Sequence, residues 1–267
     1  MPTRRDRPNV LLLYTDQQRF DALGYTGNTH IRTPHLDALA ASGACFTHAY
    51  CNSPVCMPSR QSMLSGQYPS SLGTTTNGIE MPEDALTLQQ VLKPYGYTTA
   101  NLGKLHFRNH SNRDHREPHP AYGFDRLVLS DEPGCYDDAY IKWVEMRAPD
   151  QVEACRVDTP PAWQGTPRHR QPRGTTTPYV FEGPEHLTHS AFVADETIRF
   201  LKDAQAGPFF AIAGFYAPHA PINPPQRFVD MYEPARMPLP IRNPGEDRTG
   251  LSEDDWRRVV ASYYALV

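Results

Sequence analysis

The stretch Pro8-Asn9-Val10-Leu11-Leu12-Leu13-Tyr14-Thr15 decides the fold class, because it is a continuous apolar run behind a proline. Such a run is typical of a buried strand in a parallel sheet, which is covered on both faces. The polar pair Asp16-Gln17 follows directly, and ligands of open α/β sheets bind beyond the carboxyl ends of strands. Asp16 is therefore a candidate metal ligand or catalytic carboxylate, with the Gln17 amide oxygen beside it. An aspartate here is also typical of a helix N-cap, so both interpretations stay open.

Strand and helix patterns alternate along the rest of the chain. Residues 44–50, 97–102 and 208–215 have the composition of strands. Helices are predicted at residues 33–43, 58–64, 86–95, 136–147, 188–204 and 252–267. This order predicts an α/β fold with a mixed, mostly parallel sheet sandwiched between helices.

The stretch Cys56-Met57-Pro58-Ser59-Arg60 is the strongest candidate for chemistry. Proline fits the first turn of a helix, where a missing N–H costs nothing. A helix that begins near residue 57 or 58 would place the Cys56 thiol at its positive N-terminus, where anions bind and thiols become reactive. Arg60, one turn further on, carries a rigid fork of donors that suits a tetrahedral oxyanion. The same stretch, taken alone, also fits a buried structural cysteine.

Polar residues also follow the other predicted strands. Lys104 and His106 come after strand 97–102 and share one face of an extended backbone, because they are two residues apart. His219 follows strand 208–215 and stands between two prolines, a setting that favours a functional role. These residues join Asp16 as candidates at the carboxyl ends of strands.

Composition limits the classes of protein. A chain of 267 residues, 39% hydrophobic and 21% charged, is expected to fold as one large domain or two smaller ones. The net charge of −4 and the absence of a basic block argue against nucleic acid as a partner. The five cysteines contain no CxxC pair, which argues against a disulfide framework or a zinc knuckle. The apolar run near the N-terminus is too short for a secretory or membrane segment, so a cytoplasmic protein without a membrane partner is expected.

Two long loops are predicted, at residues 107–120 and 158–185. The first holds His110, His115 and His119. Such clustering can indicate metal binding, but the spacing fits no regular ligand pattern and favours a solvated loop. The second is dense in proline, glycine and threonine, and is expected to cover a site.

In combination, these motifs resemble the sulfatase family. Cys-x-Pro-Ser-Arg at 56–60 is the signature of that family, and the resemblance covers essentially the whole chain in family order. Its further elements are Pro8-Asn9-Val10 with Asp16, Thr33-Pro34 with Leu36-Asp37 and Leu39-Ala40, Leu64-Ser65-Gly66, Gly103-Lys104 with His106, and Pro218-His219 with Pro221. The resemblance implies an alkaline-phosphatase-like fold, with residues 1–267 as the N-terminal part of a sulfatase catalytic domain.

The resemblance also implies a sulfuric ester hydrolase acting on a small-molecule or saccharide sulfate ester. Its Cys56 would be oxidised to Cα-formylglycine by a formylglycine-generating enzyme. A divalent metal, usually Ca2+, would be bound by Asp16, Gln17 and the modified Cys56. The formylglycine would hydrate to a geminal diol, one hydroxyl of which attacks sulfur in line, while the other allows collapse to the aldehyde and release of sulfate.

The resemblance assigns roles to the remaining candidates. Arg60 would hold the formylglycine, and His106 would hydrogen-bond to one of its hydroxyls and accept a proton. Lys104 and His219 would bind the sulfate oxygens and assist the leaving group. Asn77 would be a further contact to sulfate or substrate.

The sequence departs from the family pattern in two places. Many sulfatases have aspartate at the position of Gln17. In having glutamine there, the chain resembles the choline-sulfatase-like and phosphonate-monoesterase-like branches of the family. The later Asp-His or Asp-Asn pair of metal ligands has no counterpart, so the chain is expected to be truncated, with the C-terminal part missing. Two alternatives therefore remain: a phosphonate monoester or phosphodiester hydrolase of the same superfamily, and an inactive fragment that binds sulfated ligands without turnover.

Overall fold

A parallel sheet organises the fold. The computed structural model describes residues 7–110, 114–115, 117–157, 177–204, 207–241 and 249–267. Within these residues the sheet has four strands, β1 (Val10–Tyr14), β2 (Thr98–Gly103), β3 (Arg126–Leu129) and β4 (Phe209–Gly214). They lie in the order β1-β4-β2-β3, and each neighbouring pair is parallel. Their carboxyl ends therefore meet at one edge of the sheet, which confirms the α/β prediction.

Helices connect β1 to β2 and β3 to β4, and others follow β4. The described α-helices are α1 (Pro34–Ser42), α2 (Cys56–Ser65), α3 (Pro69–Leu72), α4 (Leu88–Leu92), α5 (Ala139–Arg147), α6 (Val152–Cys155), α7 (His189–Asp203), α8 (Gln226–Val229) and α9 (Glu253–Leu266). The helix predicted at 86–95 is split, since α4 passes into a 3-10 turn at Lys93–Tyr95 that contains a proline. No helix among the described residues is both long and apolar enough to cross a bilayer.

The strand predicted at 44–50 is wrong. None of these residues pairs with a strand in the part of the chain that the structure describes, and the side chains of Phe46 and Tyr50 are 79% and 85% exposed. Apolar and aromatic content favours a strand only where a neighbouring strand and a core are within reach, and neither is found there.

The central strand β4 is covered on both faces, which explains its apolar sequence. Along β4, Phe210 and Ile212 pack with Leu64 of α2 in one cluster. The alternate residues Phe209 and Ala211 pack in another cluster, which includes a phenylalanine of α7. Successive residues of a strand point to opposite faces, so one strand supplies both clusters. The sheet is therefore sandwiched between helices, as predicted.

The chain divides into two compact units. The first comprises Met1–Asp16, Tyr50–Pro172 and His186–Tyr216, and it contains the sheet. The second comprises Gln17–Ala49, Arg173–Glu185 and Ala217–Val267. Its small core is formed by Ala22, Ile31, Tyr232, Met237, Ala261 and Ala265. The last two residues lie one turn apart on α9, so that helix turns one apolar face to this core.

The two predicted loops are described only in part. Within residues 107–120, the described positions contain no helix or strand. Of the second loop, residues 158–176 lie outside the described residues. Residues 177–184 have no helix or strand, and a 3-10 turn follows at Glu185–Leu187.

Candidate active site

Cys56 is the first residue of α2, so its thiol lies at the positive end of a helix. The preceding residue, Val55, provides no side-chain cap. Asn77 replaces it, because its Oδ1 accepts a hydrogen bond from the backbone N–H of Met57 at 3.1 Å. The Asn77 Nδ2 also lies 3.2 Å from the Cys56 Sγ. The amide of Asn77 therefore both caps the helix and contacts the thiol.

Arg60 links the ends of two strands from within the protein. Its side chain is almost completely buried, and its NH1 donates to the backbone carbonyl of Lys104 at 2.8 Å. Its NH2 forms an ion pair with Asp16 Oδ2 at 3.0 Å. The guanidinium also lies over the Tyr14 ring, 4.5 Å from its centroid. A planar fork with separate donors is required for this arrangement, which a lysine cannot reproduce.

Lys104 is a fully buried cation between two carboxylates. Its Nζ lies 3.1 Å from Asp16 Oδ2 and 3.4 Å from Glu132 Oε1. It also lies 4.7 Å from the centroid of the Tyr216 ring. Burial lowers the pKa of Lys104, but the charges of Glu132 and Asp16 outweigh it, so the net pKa lies above the ordinary value. The ammonium therefore stays charged inside the protein.

Two glycines bring Lys104 to this position. Gly103 has a φ of 98°, a backbone conformation that favours glycine. A Cβ added to Gly103 would overlap the carbonyl oxygen of Gly214, and one added to Gly214 would overlap the carbonyl oxygen of Lys104. The Lys104 N–H donates to the Gly214 carbonyl at 2.8 Å. The ends of β2 and β4 can approach this closely only because neither residue has a side chain.

His106 is held in a strained backbone conformation. Its φ is 55°, which is uncommon for a residue other than glycine. Asp131 Oδ1 accepts hydrogen bonds from the backbone N–H groups of Leu105 and His106, both at 2.8 Å. The Asp131 side chain is buried, and a carboxylate that accepts from two backbone N–H groups strongly restricts the backbone conformation at those residues. Asp131 therefore stabilises the turn that carries His106.

Asp131 and Glu132 are site residues that the sequence interpretation missed. They follow β3, a four-residue strand that was not predicted because it is short and begins with an arginine. The signal that could have found them is the position of two carboxylates just one residue beyond the apolar stretch Leu127–Leu129.

His110 differs from the prediction of a solvated loop. Its ring is only 22% exposed, and its Nδ1 lies 3.9 Å from Glu132 Oε1. The loop is fixed further along by His115, whose Nε2 hydrogen-bonds with the carbonyl of His110 at 3.0 Å. The His115 ring stacks on Tyr136 with centroids 3.6 Å apart. Tertiary contacts therefore hold His110 and His115, although neither lies in a helix or strand.

Gln17 and His219 belong to the second unit and are described with it. Gln17 has a φ of 60°, and its carbonyl accepts a hydrogen bond from the Tyr263 hydroxyl at 2.8 Å. His219 lies between two cis peptide bonds, each preceding a proline. Its Nδ1 hydrogen-bonds with the carbonyl of Ala220 at 2.6 Å. In a neutral ring this leaves Nε2 as the acceptor nitrogen.

The donor chemistry of the predicted metal ligands fits a hard divalent cation. Asp16 offers a carboxylate that is 6% exposed, and Gln17 offers an amide oxygen at the next position in the chain. Although Asp16 Oδ2 already contacts two cations, a carboxylate has about four lone-pair sites and can still bind a metal. An oxygen in place of the sulfur at Cys56 would belong to the same hard class. The roles that the family resemblance assigns to these residues remain predictions.

The parallel sheet, with charged groups beyond the carboxyl ends of its strands, defines the class as an α/β protein with its candidate site at that edge. The fold matches the crystal structure of the phosphonate monoester hydrolase of Agrobacterium radiobacter with a TM-score of 0.78. The identity is 23%, and the match covers 97% of this chain and 56% of that chain. At this identity the likeness shows the fold alone.

The chain belongs to the sulfatase family, because the family model described as Sulfatase matches residues 8–267. It is 31% identical over 237 residues to the ulvan-active sulfatase of Formosa agariphila, covering 87% of this chain and 40% of that protein. It is 30% identical over 252 residues to the N-acetylgalactosamine-6-sulfatase of Sus scrofa, covering 88% of this chain and 44% of that protein. The chain thus spans less than half the length of these two relatives. The family resemblance of the sequence is confirmed.

Proposed function

We propose that this chain carries the nucleophile and anion-binding groups of a sulfatase that hydrolyses sulfate monoesters. The observation that carries the proposal is the position of Cys56 at the first residue of α2, with Arg60 one turn further on and bonded to both Asp16 and Lys104. Membership of the sulfatase family supports the same activity.

The chemical problem is the negative charge of the sulfate ester, which repels a nucleophile. The charged Lys104 ammonium and the N-terminus of α2 provide positive potential at Cys56, with Arg60 fixed behind them. Because these groups are held by buried contacts before substrate arrives, little reorganisation is needed during the reaction.

Oxidation of Cys56 to formylglycine gives an aldehyde, and addition of water to that aldehyde would give a geminal diol. One hydroxyl of the diol would be the nucleophile in place of sulfur, and the second hydroxyl would remain on the same carbon. Asp16, Gln17 and this residue would hold a divalent metal such as Ca2+, which supplies a Lewis acid for the oxygens that react. His106 accepts a proton from the residue at position 56, and His219 assists the leaving group. Asn77 orients the nucleophile from its place beside Cys56.

The substrate class that we propose is a sulfate ester of a saccharide or another small molecule. The support is that the relatives include a protein named for ulvan and one named for N-acetylgalactosamine 6-sulfate. The acidic net charge of the chain gives no reason to expect nucleic acid.

Mass spectrometry of the peptide that spans Cys56, combined with turnover of an aryl sulfate, tests the proposal. The chain should be produced together with a formylglycine-generating enzyme, and the expected result is a modified residue at position 56 and release of sulfate. Cys56→Ala should abolish turnover, whereas Cys45→Ala, at an exposed thiol, should leave it unchanged. Binding of a sulfated ligand without turnover by the modified chain would instead support the inactive-fragment alternative.

A second candidate is hydrolysis of phosphonate monoesters or phosphodiesters, and Gln17 is the observation that favours it. Glutamine is present where many sulfatases have aspartate, so the metal would receive one negative charge less. Turnover of an aryl sulfate and of an aryl phosphonate at equal concentration separates the two. Faster cleavage of the phosphonate would replace the sulfatase proposal with this one.

A further inference from the structure

We propose that His106, His110 and Glu132 form a second metal site, which takes a transition-metal dication of the Zn2+ class. One donor atom of each residue lies within 4.8 Å of the donor atoms of the other two. The His110 Nδ1 is 3.9 Å from Glu132 Oε1, and the two imidazole centroids are 5.8 Å apart. This set shares no residue with Asp16, Gln17 and Cys56.

Two imidazoles and one carboxylate are a donor set that binds Zn2+ and leaves an open position for water or a ligand. Metal–ligand bonds of about 2.0–2.1 Å place tetrahedral donors about 3.3 Å apart, so the three groups need to close by about 1.5 Å at most. Rotation of the half-buried His110 ring can provide much of this movement. Ca2+ and Mg2+ prefer oxygen donors, so the set selects against them.

Two of the three ligands are held in place before any metal binds. His106 and Glu132 are 3% and 6% exposed, and the backbone of His106 is fixed by Asp131. The backbone of His110 is tied to His115. Ordered ligands lose little conformational freedom on binding, which favours affinity.

Glu132 can bind a metal and Lys104 together. Its Oε1 lies 3.4 Å from Lys104 Nζ, but a carboxylate has about four lone-pair sites and can serve both.

The consequence for activity rests on the proposed function. A metal at this site would occupy His106, the proposed proton acceptor, and would share Glu132 with the anion-binding Lys104. Occupancy is therefore expected to inhibit cleavage of the sulfate ester. Binding itself is measured without turnover, so failure of the metal site and failure of the sulfatase proposal give different results.

The experiment is a titration of the full chain with Co2+, which reports its ligand field in the visible spectrum, followed by displacement with Zn2+. His110→Gln should weaken Co2+ binding by at least about 100-fold. Mutation of a residue that only hydrogen-bonds to a metal ligand already costs about 10–100-fold in metal affinity. His119→Gln, in the same loop but outside the cluster, is the matched control and should bind as the unchanged chain does. Glu132→Gln should also weaken binding, and circular dichroism checks that each variant is folded.

Equal Co2+ affinity and spectra for His110→Gln and the unchanged chain would overturn the proposal. The same conclusion follows if Cys56→Ser removes the signal, because the metal would then be bound by the thiol. Retention of the signal in Cys56→Ser, together with its loss in His110→Gln, supports the site.

Discussion

A set of buried hydrogen bonds next to the candidate site predicts how the free energy of unfolding depends on pH. The Ser130 hydroxyl hydrogen-bonds with Asp138 Oδ2 at 2.5 Å and lies 3.1 Å from His189 Nε2. Burial raises the pKa of Asp138 to about 7 and lowers the pKa of His189 to about 3. In the folded protein at pH 5, both groups are therefore neutral, whereas in the unfolded chain both are charged.

The two groups act on the stability in opposite directions. Between about pH 4 and 7 the folded state holds a proton on Asp138 that the unfolded state has lost, so its contribution to stability falls as the pH rises. From about pH 3 to 6.5 the unfolded state holds the extra proton on His189, so that contribution rises with pH. Each slope is about 1.4 kcal/mol per pH unit, and in the overlap they nearly cancel.

Asp138→Asn removes the contribution of Asp138 to the pH dependence of stability and leaves that of His189. Asparagine caps a helix about as well as aspartate, so the bond from the Ile141 N–H to residue 138 is expected to remain. From pH 4.5 to 6.5 the free energy of unfolding of Asp138→Asn, relative to the unchanged chain, should rise by about 2.5 kcal/mol in total. His189→Gln should show a change of opposite sign.

The assay is urea unfolding at fixed ionic strength and at several values of pH between 4.5 and 6.5. Asp84→Asn, at an exposed side chain, serves as the control and should run parallel to the unchanged chain. If Asp138→Asn also runs parallel to it over this range, then Asp138 is ionised in the folded protein and the reasoning fails.

Three further substitutions test individual contacts. Arg60→Lys should lower the free energy of unfolding, measured in urea, by about 1–3 kcal/mol. The reason is that a lysine cannot donate to both buried acceptors, the Lys104 carbonyl and the Asp16 carboxylate. Unchanged stability would contradict this role of the guanidinium. Asn77→Ala should cost about 1 kcal/mol through loss of the cap on α2, whereas Asn77→Asp should keep it; equal losses would argue against capping. Tyr263→Phe should speed hydrogen exchange of the Arg19 amide, which donates to the Tyr263 hydroxyl at 2.8 Å; unchanged exchange would show that this bond gives no protection.

Several features were predictable because they depend on local sequence. The apolar run that ends at Asp16 forms a parallel strand, and the helix expected near residue 57 or 58 begins at Cys56. The expectation that this strand is buried is wrong for the described residues, because it lies at the edge of the described sheet and Leu13 is 52% exposed. Proline position, apolar periodicity and strand composition act within a few residues, so they can be read without knowledge of the fold.

Other features were not predictable in this way. The stretch 44–50 has strand composition but pairs with no described strand, whereas β3 is a strand in spite of its weak pattern. In both cases the outcome depends on whether a neighbouring strand offers its backbone, which local composition does not reveal. His110 was expected in solvent, yet it lies beside Glu132.

The sequence by itself determined the family, the class of fold and the residue types at the carboxyl ends of three strands. Only the tertiary structure decided which charges are neighbours: Lys104 between Asp16 and Glu132, Arg60 bound to both strand ends, and His106 fixed by Asp131. The physical reason is that a parallel sheet joins strands from distant parts of the chain at one edge. Contacts across that edge depend on strand order and register, and neither is contained in the spacing of the residues.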